Sequence, residues 1–128
     1  IVRRAAWLDG AAACLRRSPP AFVLCHTDLH GGNLLRGNGG RLFAVDWDSA
    51  LLAPREADLF LFREEPFFPL FREPADAALL TYYQVRRDLE DLWEFGRALA
   101  EGRLSAAEAE AALSHTRRIA AQLCRIPL

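Results

Sequence analysis

The stretch LCHTDLHGGNLL, Leu24–Leu35, decides the fold that we expect, because it places polar side chains between two short apolar runs. Its polar residues include Asp28 and Asn33, and the next apolar run, LFAVDW, contains Asp46. The segment RGNGGR between these runs predicts a tight turn, since glycine and asparagine tolerate positive φ angles. We therefore expect residues 34 to 47 to form a hairpin that returns Asp46 to the loop carrying Asp28 and Asn33.

Helices dominate the rest of the expected structure. Apolar residues at three-to-four spacing predict one helix over residues 1 to 17 and another from 76 to about 100. Ser105 and Glu108 have the spacing of a capping box and mark the start of a last helix. A short helix is expected over residues 54 to 62. The sequence thus predicts an α+β fold that is mainly helical, with one small hairpin.

Composition excludes several classes of protein. With 128 residues, 52% of them hydrophobic and 26% charged, the chain can form one globular domain or one lobe. The net charge of −1 gives no basic footprint for nucleic acid, and no apolar run is long enough to span a membrane. The three cysteines, Cys14, Cys25 and Cys124, lack metal-ligand spacing, so we expect buried thiols in a cytoplasmic protein.

The spacing His26-x-Asp28-x-x-x-x-Asn33, followed by Asp46, suits phosphoryl transfer. This reaction needs a carboxylate at the attacking hydroxyl, oxygen ligands for magnesium, and a rigid loop that keeps both in place. Asp28 could supply the carboxylate, whereas the amide oxygen of Asn33 and the carboxylate of Asp46 suit a hard cation. Taken separately, these residues would also fit an N-cap, a turn and a strand end.

The motifs CHTDLHGGNLL and LFAVDWDSALLAPREADL resemble the catalytic core of the aminoglycoside phosphotransferase family, which has a protein-kinase-like fold. The family pattern is His-x-Asp-x-x-x-x-Asn, then a strand ending in Val-Asp-Trp-Asp or a variant of it, then Asp-Leu. Within the family, VDWDSALLAPREADL resembles antibiotic kinases of the spectinomycin phosphotransferase type. Close similarity covers residues 22 to 61. The resemblance implies that residues 1–128 form the C-terminal, catalytic lobe of such a kinase.

The resemblance also implies roles for individual residues and for ligands. Asp28 would be the catalytic base, and Asn33 and Asp46 would bind Mg²⁺. The phosphoryl donor would be ATP or GTP, and the acceptor a hydroxyl of an aminoglycoside-like antibiotic or a related small alcohol. The other matching positions are loop-bracing His26, His30 with a structural or phosphate-side role, Asp58 as a hydrogen-bond acceptor beneath the loop, and Asp48 as a second acidic group near the metal.

One lobe of the family has no counterpart here. The smaller lobe carries a nucleotide-covering loop and a phosphate-binding lysine, but all sixteen basic residues of this chain are arginine. The chain also lacks methionine and begins at Ile1, so we expect a fragment or a processed product whose N-terminal nucleotide lobe is absent. We expect the chain alone to be inactive or very weak. Its partner would be the missing lobe or, in a homodimer, a second copy.

Other interpretations remain open from sequence. The chain could be a non-catalytic remnant or interaction module that retains the motif, or a kinase of choline, homoserine or another metabolite. His26, Asp28 and His30 could instead contribute to a zinc site, although no second histidine cluster completes it. Acidic residues from 88 to 94 alternate with arginines, which favours an exposed helix face with ion pairs. Trp47 and Trp93 are predicted to lie in the core.

Overall fold

The computed structural model describes residues 1–127, and the chain divides into two compact units. The strand unit comprises Pro19–Tyr83, and the helical unit comprises Ile1–Ser18 together with the chain from Gln84 onward. The boundary falls inside one long helix. The predicted fold class is confirmed, because the structure is mainly helical with a small antiparallel hairpin.

The strand unit contains two small antiparallel sheets. The strands β2 (Leu34–Arg36) and β3 (Leu42–Ala44) form the predicted hairpin, with Leu35 opposite Phe43. A second sheet pairs β1 (Val23–Cys25) with β4 (Leu51–Ala53). The prediction of a single hairpin was therefore incomplete. The strand β4 has only three residues and its partner is far away in sequence, so no local pattern indicated it.

The hairpin closes through the glycine-rich turn that the sequence predicts. Gly39 and Gly40 have φ angles of 73° and 77°, a region that side chains disfavour. The backbone N–H of Gly37 donates to the carbonyl of Arg41 at 2.8 Å and closes the turn. This geometry fixes the register of the hairpin, and so the position at which its second strand ends.

A short helical segment follows β4. The helix α2 (Glu56–Leu59) continues as a 3₁₀ turn, Phe60–Phe62, as predicted. Small side chains fill the cluster between α2 and the β1–β4 sheet: Cys25, Ala53 and Ala57 are buried there, with Tyr83 packed against them. Burial, with a further contribution from the nearby carboxylate of Asp58, raises the pKa of the Cys25 thiol to about 11. Cys25 is therefore a protonated core residue rather than a nucleophile.

The helical unit contains α1 (Val2–Arg17), most of α3 (Ala77–Glu101) and α4 (Ala106–Arg125). All three helices confirm the predicted periodicity, and the capping box of Ser105 and Glu108 begins α4. The core of this unit combines residues from all three helices and the chain after α4: Val85, Ile119 and Leu123 are buried, with Trp7, Leu8, Leu89, Leu92, Phe95 and Ile126 packed against them.

Three expectations about exposure were wrong. Trp93 is 72% exposed and Trp47 is 48% exposed, so neither is a core residue. Asp88, expected on the exposed helix face, is only 4% exposed, although the predicted i,i+4 ion pairs form beside it between Arg86 and Glu90 and between Arg87 and Asp91. Burial raises the pKa of Asp88 to about 6, despite a hydrogen bond from Gln84.

The cysteines also differ from expectation, because only Cys25 is buried, whereas Cys14 and Cys124 are exposed. No helix in residues 1–127 has the length and apolar character needed to cross a membrane.

Candidate active site

Six of the seven predicted site residues lie on two neighbouring segments of the strand unit, and the seventh, Asp58, lies on α2. We call His26–Asn33 the site loop, which connects β1 to β2, and Asp46–Ala50 the acidic turn, which connects β3 to β4. Because β1 pairs with β4 and β2 pairs with β3, both segments connect the same two sheets. The topology therefore brings them side by side.

Asp58 holds the start of the site loop from α2. Its two carboxylate oxygens accept hydrogen bonds from consecutive backbone N–H groups, those of His26 at 3.0 Å and Thr27 at 2.6 Å. Charge-assisted hydrogen bonds of this kind are roughly twice as strong as neutral ones. The carboxylate of Asp58 thus lies against the backbone of the site loop.

Two residues of the site have left-handed backbone conformations. Thr27 has a φ angle of 67° and Asp46 one of 63°. Aspartate tolerates this region, but a β-branched residue such as threonine is an outlier there. The conformation costs an L-residue about 1–2 kcal/mol. The hydrogen bonds that His26 and Thr27 donate to Asp58, together with the contacts described below, hold Thr27 in place. The reversal at Asp46 redirects the chain after β3 ends.

Asn33 joins the two ends of the site loop. Its side-chain amide nitrogen donates to the backbone carbonyl of Asp28 at 2.9 Å and to the Asp28 carboxylate at 3.3 Å. Its backbone carbonyl accepts from the N–H of Val45 at 2.9 Å. Both side-chain bonds use the amide nitrogen, and within residues 1–127 no hydrogen bond to the amide oxygen of Asn33 is found, so this oxygen can accept one. Asp28, Asn33 and the residue before Asp46 are thereby joined directly.

His30 also lies close to the Asp28 carboxylate. Its Nε2 is 3.6 Å from the Asp28 carboxylate, and its Nδ1 accepts a hydrogen bond of 3.0 Å from the backbone N–H of Gly32. This bond requires the tautomer that carries the proton on Nε2, which then faces the carboxylate. A Cβ atom at Gly32 would lie 2.7 Å from the His30 ring, so glycine permits the close approach.

His26 braces the site from within. Its ring is 1% exposed, and Nε2 lies 2.8 Å from the carbonyl oxygen of Val45. That oxygen accepts, so Nε2 carries the proton and Nδ1 is left without a hydrogen-bond partner among the described residues. The Trp47 ring packs on His26, with ring centroids 4.7 Å apart, and its indole N–H donates to the carbonyl of Ala44 at 2.9 Å. These contacts connect the site loop to the segment that carries Asp46.

The donor atoms fit a hard cation better than zinc. Asp46 is exposed, and with the amide oxygen of Asn33 it offers two oxygen ligands. Mg²⁺ commonly binds one or two protein carboxylates, with phosphate oxygens and water completing its coordination. In contrast, no group of three or more histidine, cysteine, aspartate or glutamate residues within residues 1–127 is arranged to hold a metal. The alternative zinc site of His26, Asp28 and His30 therefore gains no support.

The acidic turn also carries a contact that the sequence did not suggest. The hydroxyl of Thr27 donates to the backbone carbonyl of Ser49 at 2.8 Å. Asp48, expected near the metal as a second acidic group, is an exposed residue of the same turn. Neither Thr27 nor Ser49 was a predicted site residue. Their contact uses a backbone carbonyl, which every residue has, and a φ angle that threonine disfavours, so the residue types gave no signal.

Comparisons with known proteins agree with this architecture. A model of the phosphotransferase enzyme family, APH, matches residues 2–99. No curated protein matches the chain. Among solved structures, spectinomycin phosphotransferase APH(9)-Ia in complex with ADP and spectinomycin has 25% sequence identity and a TM-score of 0.66. The AMP-bound complex of the same enzyme has 26% identity and a TM-score of 0.62.

The match covers these solved structures only in part. It includes 91% of this chain, but 41% of the chain in the ADP complex and 42% of the chain in the AMP complex. The chain therefore spans about two-fifths of the length of the solved enzymes. The family model matches well over half of the chain. On this sequence and structural similarity, the chain belongs to the aminoglycoside phosphotransferase (APH) family of phosphotransferases.

Proposed function

We propose that this chain is the C-terminal, catalytic lobe of a small-molecule kinase. The reaction is transfer of the γ-phosphoryl group of ATP or GTP to a hydroxyl of an aminoglycoside-like antibiotic or a related small alcohol. One observation carries the proposal: Asn33 donates to Asp28 while its backbone carbonyl accepts from Val45, the residue before Asp46. Direct hydrogen bonds thus join Asp28 to Asn33, and Asn33 to the residue next to Asp46, so the residue types that phosphoryl transfer requires lie close together.

Asp28 orients the acceptor hydroxyl and takes its proton. Its side chain is 27% exposed, so a substrate can reach it. As the hydroxyl oxygen bonds to the γ-phosphorus, the bond from that phosphorus to the β–γ bridging oxygen breaks and the nucleoside diphosphate leaves. Little covalent work falls to the protein, so the rate depends on how well Asp28 is positioned. The amide of Asn33 and the ring of His30 both approach the same oxygen of the carboxylate, Oδ2, at 3.3 Å and 3.6 Å.

Asn33 and Asp46 are the residues that would hold Mg²⁺. When bound there, the cation would supply positive charge to offset the negative charge that develops on the phosphates during transfer. A neutral amide oxygen and a charged carboxylate leave room for phosphate oxygens and water as further ligands. Asp48, on the same acidic turn, is a second acidic group near this position.

The nucleotide and the acceptor are proposed from the relatives. One solved relative is a spectinomycin phosphotransferase in complex with ADP and spectinomycin, and the other is an AMP-bound complex. A phosphate-binding lysine cannot come from this sequence, which has none. We expect this lysine on an N-terminal nucleotide lobe, either in the same protein or in a partner chain. If two copies of this chain associate instead, neither copy supplies the lysine. The chain alone should then be inactive or very weak, because half of the phosphate contacts are missing.

The test is a phosphorylation assay on the protein at the length at which it occurs in its source, compared with residues 1–128 alone. Labelled ATP and GTP are supplied with spectinomycin, other aminoglycosides, choline and homoserine. We expect transfer to one of these alcohols at roughly 1–100 per second, and a loss of about 10²–10⁴-fold in kcat in Asp28→Asn. Absence of transfer to every acceptor, or equal rates in Asp28→Asn, would contradict the proposal.

A further inference from the structure

Thr27 is the residue of the site loop whose conformation is hardest to explain by local preference. It lies between His26 and Asp28, and its φ angle of 67° places a β-branched side chain in the left-handed region. Glycine would adopt the same angle without strain. A residue kept in a sparsely populated conformation needs surrounding contacts that enforce it, and such residues cluster at functional sites.

Contacts of two kinds enforce the conformation of Thr27. Its backbone N–H donates to Asp58 at 2.6 Å, which fixes the main chain. Its hydroxyl donates to the carbonyl of Ser49 at 2.8 Å, which is a contact to a different segment. Glycine would satisfy the first contact but not the second. The hydroxyl is thus the feature that threonine adds at this position.

The contact to Ser49 spans the two segments that hold the candidate catalytic groups. Thr27 directly precedes Asp28 on the site loop, and Ser49 lies three residues after Asp46 on the acidic turn. The acidic turn has a hydrogen bond of its own, from the N–H of Ala50 to the carbonyl of Trp47 at 3.0 Å. The acidic turn is therefore ordered by its own hydrogen bond. A contact at Ser49 can then fix the position of the whole turn relative to the site loop.

We propose that Thr27 is a positioning residue whose hydroxyl couples the site loop to the acidic turn. The coupling keeps the Asp28 carboxylate in register with Asp46. The inference rests on the proposed function for its consequence in catalysis, but the coupling itself is a property of the fold. The two can therefore be tested separately.

Two substitutions isolate the hydroxyl. Thr27→Val keeps the shape and the β-branching, and therefore the backbone strain, but removes the donor to Ser49. Thr27→Ser keeps the donor and removes the branching methyl group. If the hydroxyl matters, valine disturbs the coupling and serine restores it. If only the shape at this position matters, the valine variant behaves like the wild type.

Residue-resolved amide hydrogen exchange on the chain reads the coupling directly. The reporters are the N–H of Asn33, bonded to the carbonyl of His30 in the site loop, and that of Ala50 in the acidic turn. The N–H of Gly37, bonded to Arg41 in the hairpin turn, is the internal reference. We expect Thr27→Val to accelerate exchange at both reporters by roughly three- to tenfold, the range for one hydrogen bond, while Gly37 stays unchanged. Thr27→Ser should match the wild type.

The proposal is overturned if Thr27→Val changes exchange at neither reporter, at Asn33 alone, or equally at Gly37.

A second measurement concerns catalysis in the protein at its natural length. We expect kcat to fall about tenfold in Thr27→Val with little change in the KM for nucleotide, and to recover in Thr27→Ser. If the wild type transfers no phosphoryl group, the proposed function fails, while the exchange experiment still decides whether the coupling exists.

Discussion

In the helical unit, Val85, Ile119 and Leu123 are almost inaccessible to solvent, and large aromatic and aliphatic side chains pack around them. In the strand unit, the buried cluster beneath the site loop consists of small residues, Cys25, Ala53 and Ala57. A fully buried leucine or isoleucine contributes about 1.5–3 kcal/mol to stability, and an alanine much less. Large side chains of the strand unit, Phe60, Leu79 and Leu80, are buried as well, but they do not belong to this cluster. The cluster itself therefore contributes less apolar burial than the core of the helical unit.

The polar contacts of the strand unit connect residues that are distant in sequence. The carboxylate of Asp58 reaches His26 and Thr27, and the hydroxyl of Thr27 reaches Ser49. Apolar packing tolerates small shifts, whereas a hydrogen bond fixes both distance and direction. Apolar packing therefore dominates the core of the helical unit, whereas directed polar contacts set the position of the site loop. Substitutions in each unit should reveal this difference.

The largest effect is expected from Leu123→Ala in α4. Leu123 is 3% exposed, and its truncation should leave a cavity that lowers the free energy of unfolding by about 3 kcal/mol. The matched control is Leu113→Ala, since Leu113 lies on the same helix but is 44% exposed. Urea denaturation measures both. If both variants lost the same free energy of unfolding, burial of Leu123 in the core would not be what stabilises the helical unit.

Asp58→Ala should have a smaller effect on stability and a larger one on the site. It removes two charge-assisted acceptors and leaves the N–H groups of His26 and Thr27 without them, at a cost of about 2 kcal/mol. The exposed Asp48→Ala is the control, with an expected change of at most about 0.5 kcal/mol. Thermal or urea unfolding measures stability, and amide exchange at Asn33 measures the order of the site loop. The interpretation would be wrong if Asp58→Ala gave the same values as Asp48→Ala in both measurements.

Asp88 gives the helical unit a pH dependence. Its pKa in the folded chain is raised from 3.8 to about 6, so the unfolded chain releases the proton first as pH rises. The folded state then binds more protons between these values, and stability falls as pH rises from about 4 to about 6. In Asp88→Asn this loss should disappear, with a gain of at most about 3 kcal/mol at pH 7.

The measurement is urea unfolding of the wild type and Asp88→Asn at a series of pH values. The control is Asp91→Asn on the same helix, because Asp91 is paired with Arg87 at 2.9 Å and is not buried. The wild type and Asp88→Asn should differ more in their free energy of unfolding at pH 7 than at pH 4. An equal difference at the two pH values would show that burial does not shift the proton affinity of Asp88.

Local patterns predicted the elements that depend on local contacts. The helices follow from three-to-four periodicity, the hairpin from its glycine-rich turn, and the start of α4 from its capping box. The strand β4 was missed because its three residues pair with β1, which is more than twenty residues away in sequence. Pairing of this kind leaves no short-range signal.

Exposure was harder to predict than secondary structure. Asp88 lies three residues after Val85 and four before Leu92, so its position on the apolar face could have been recognised from helical spacing. The surrounding charges, which do form surface ion pairs, obscured that signal. The conformation of Thr27 could not have been predicted, because threonine disfavours positive φ angles and only tertiary contacts enforce one.

We propose that Asn33 and Asp46 together form a cation site beside Asp28. The most direct test titrates the chain with Mn²⁺ and ADP and follows paramagnetic broadening of amide NMR signals, which detects weak binding. We expect the signals of Asn33 and Asp46 to broaden first, and the broadening to be lost in Asp46→Asn but kept in Asp88→Asn. Broadening that persists in Asp46→Asn, or that centres on the acidic residues of α3, would contradict the account.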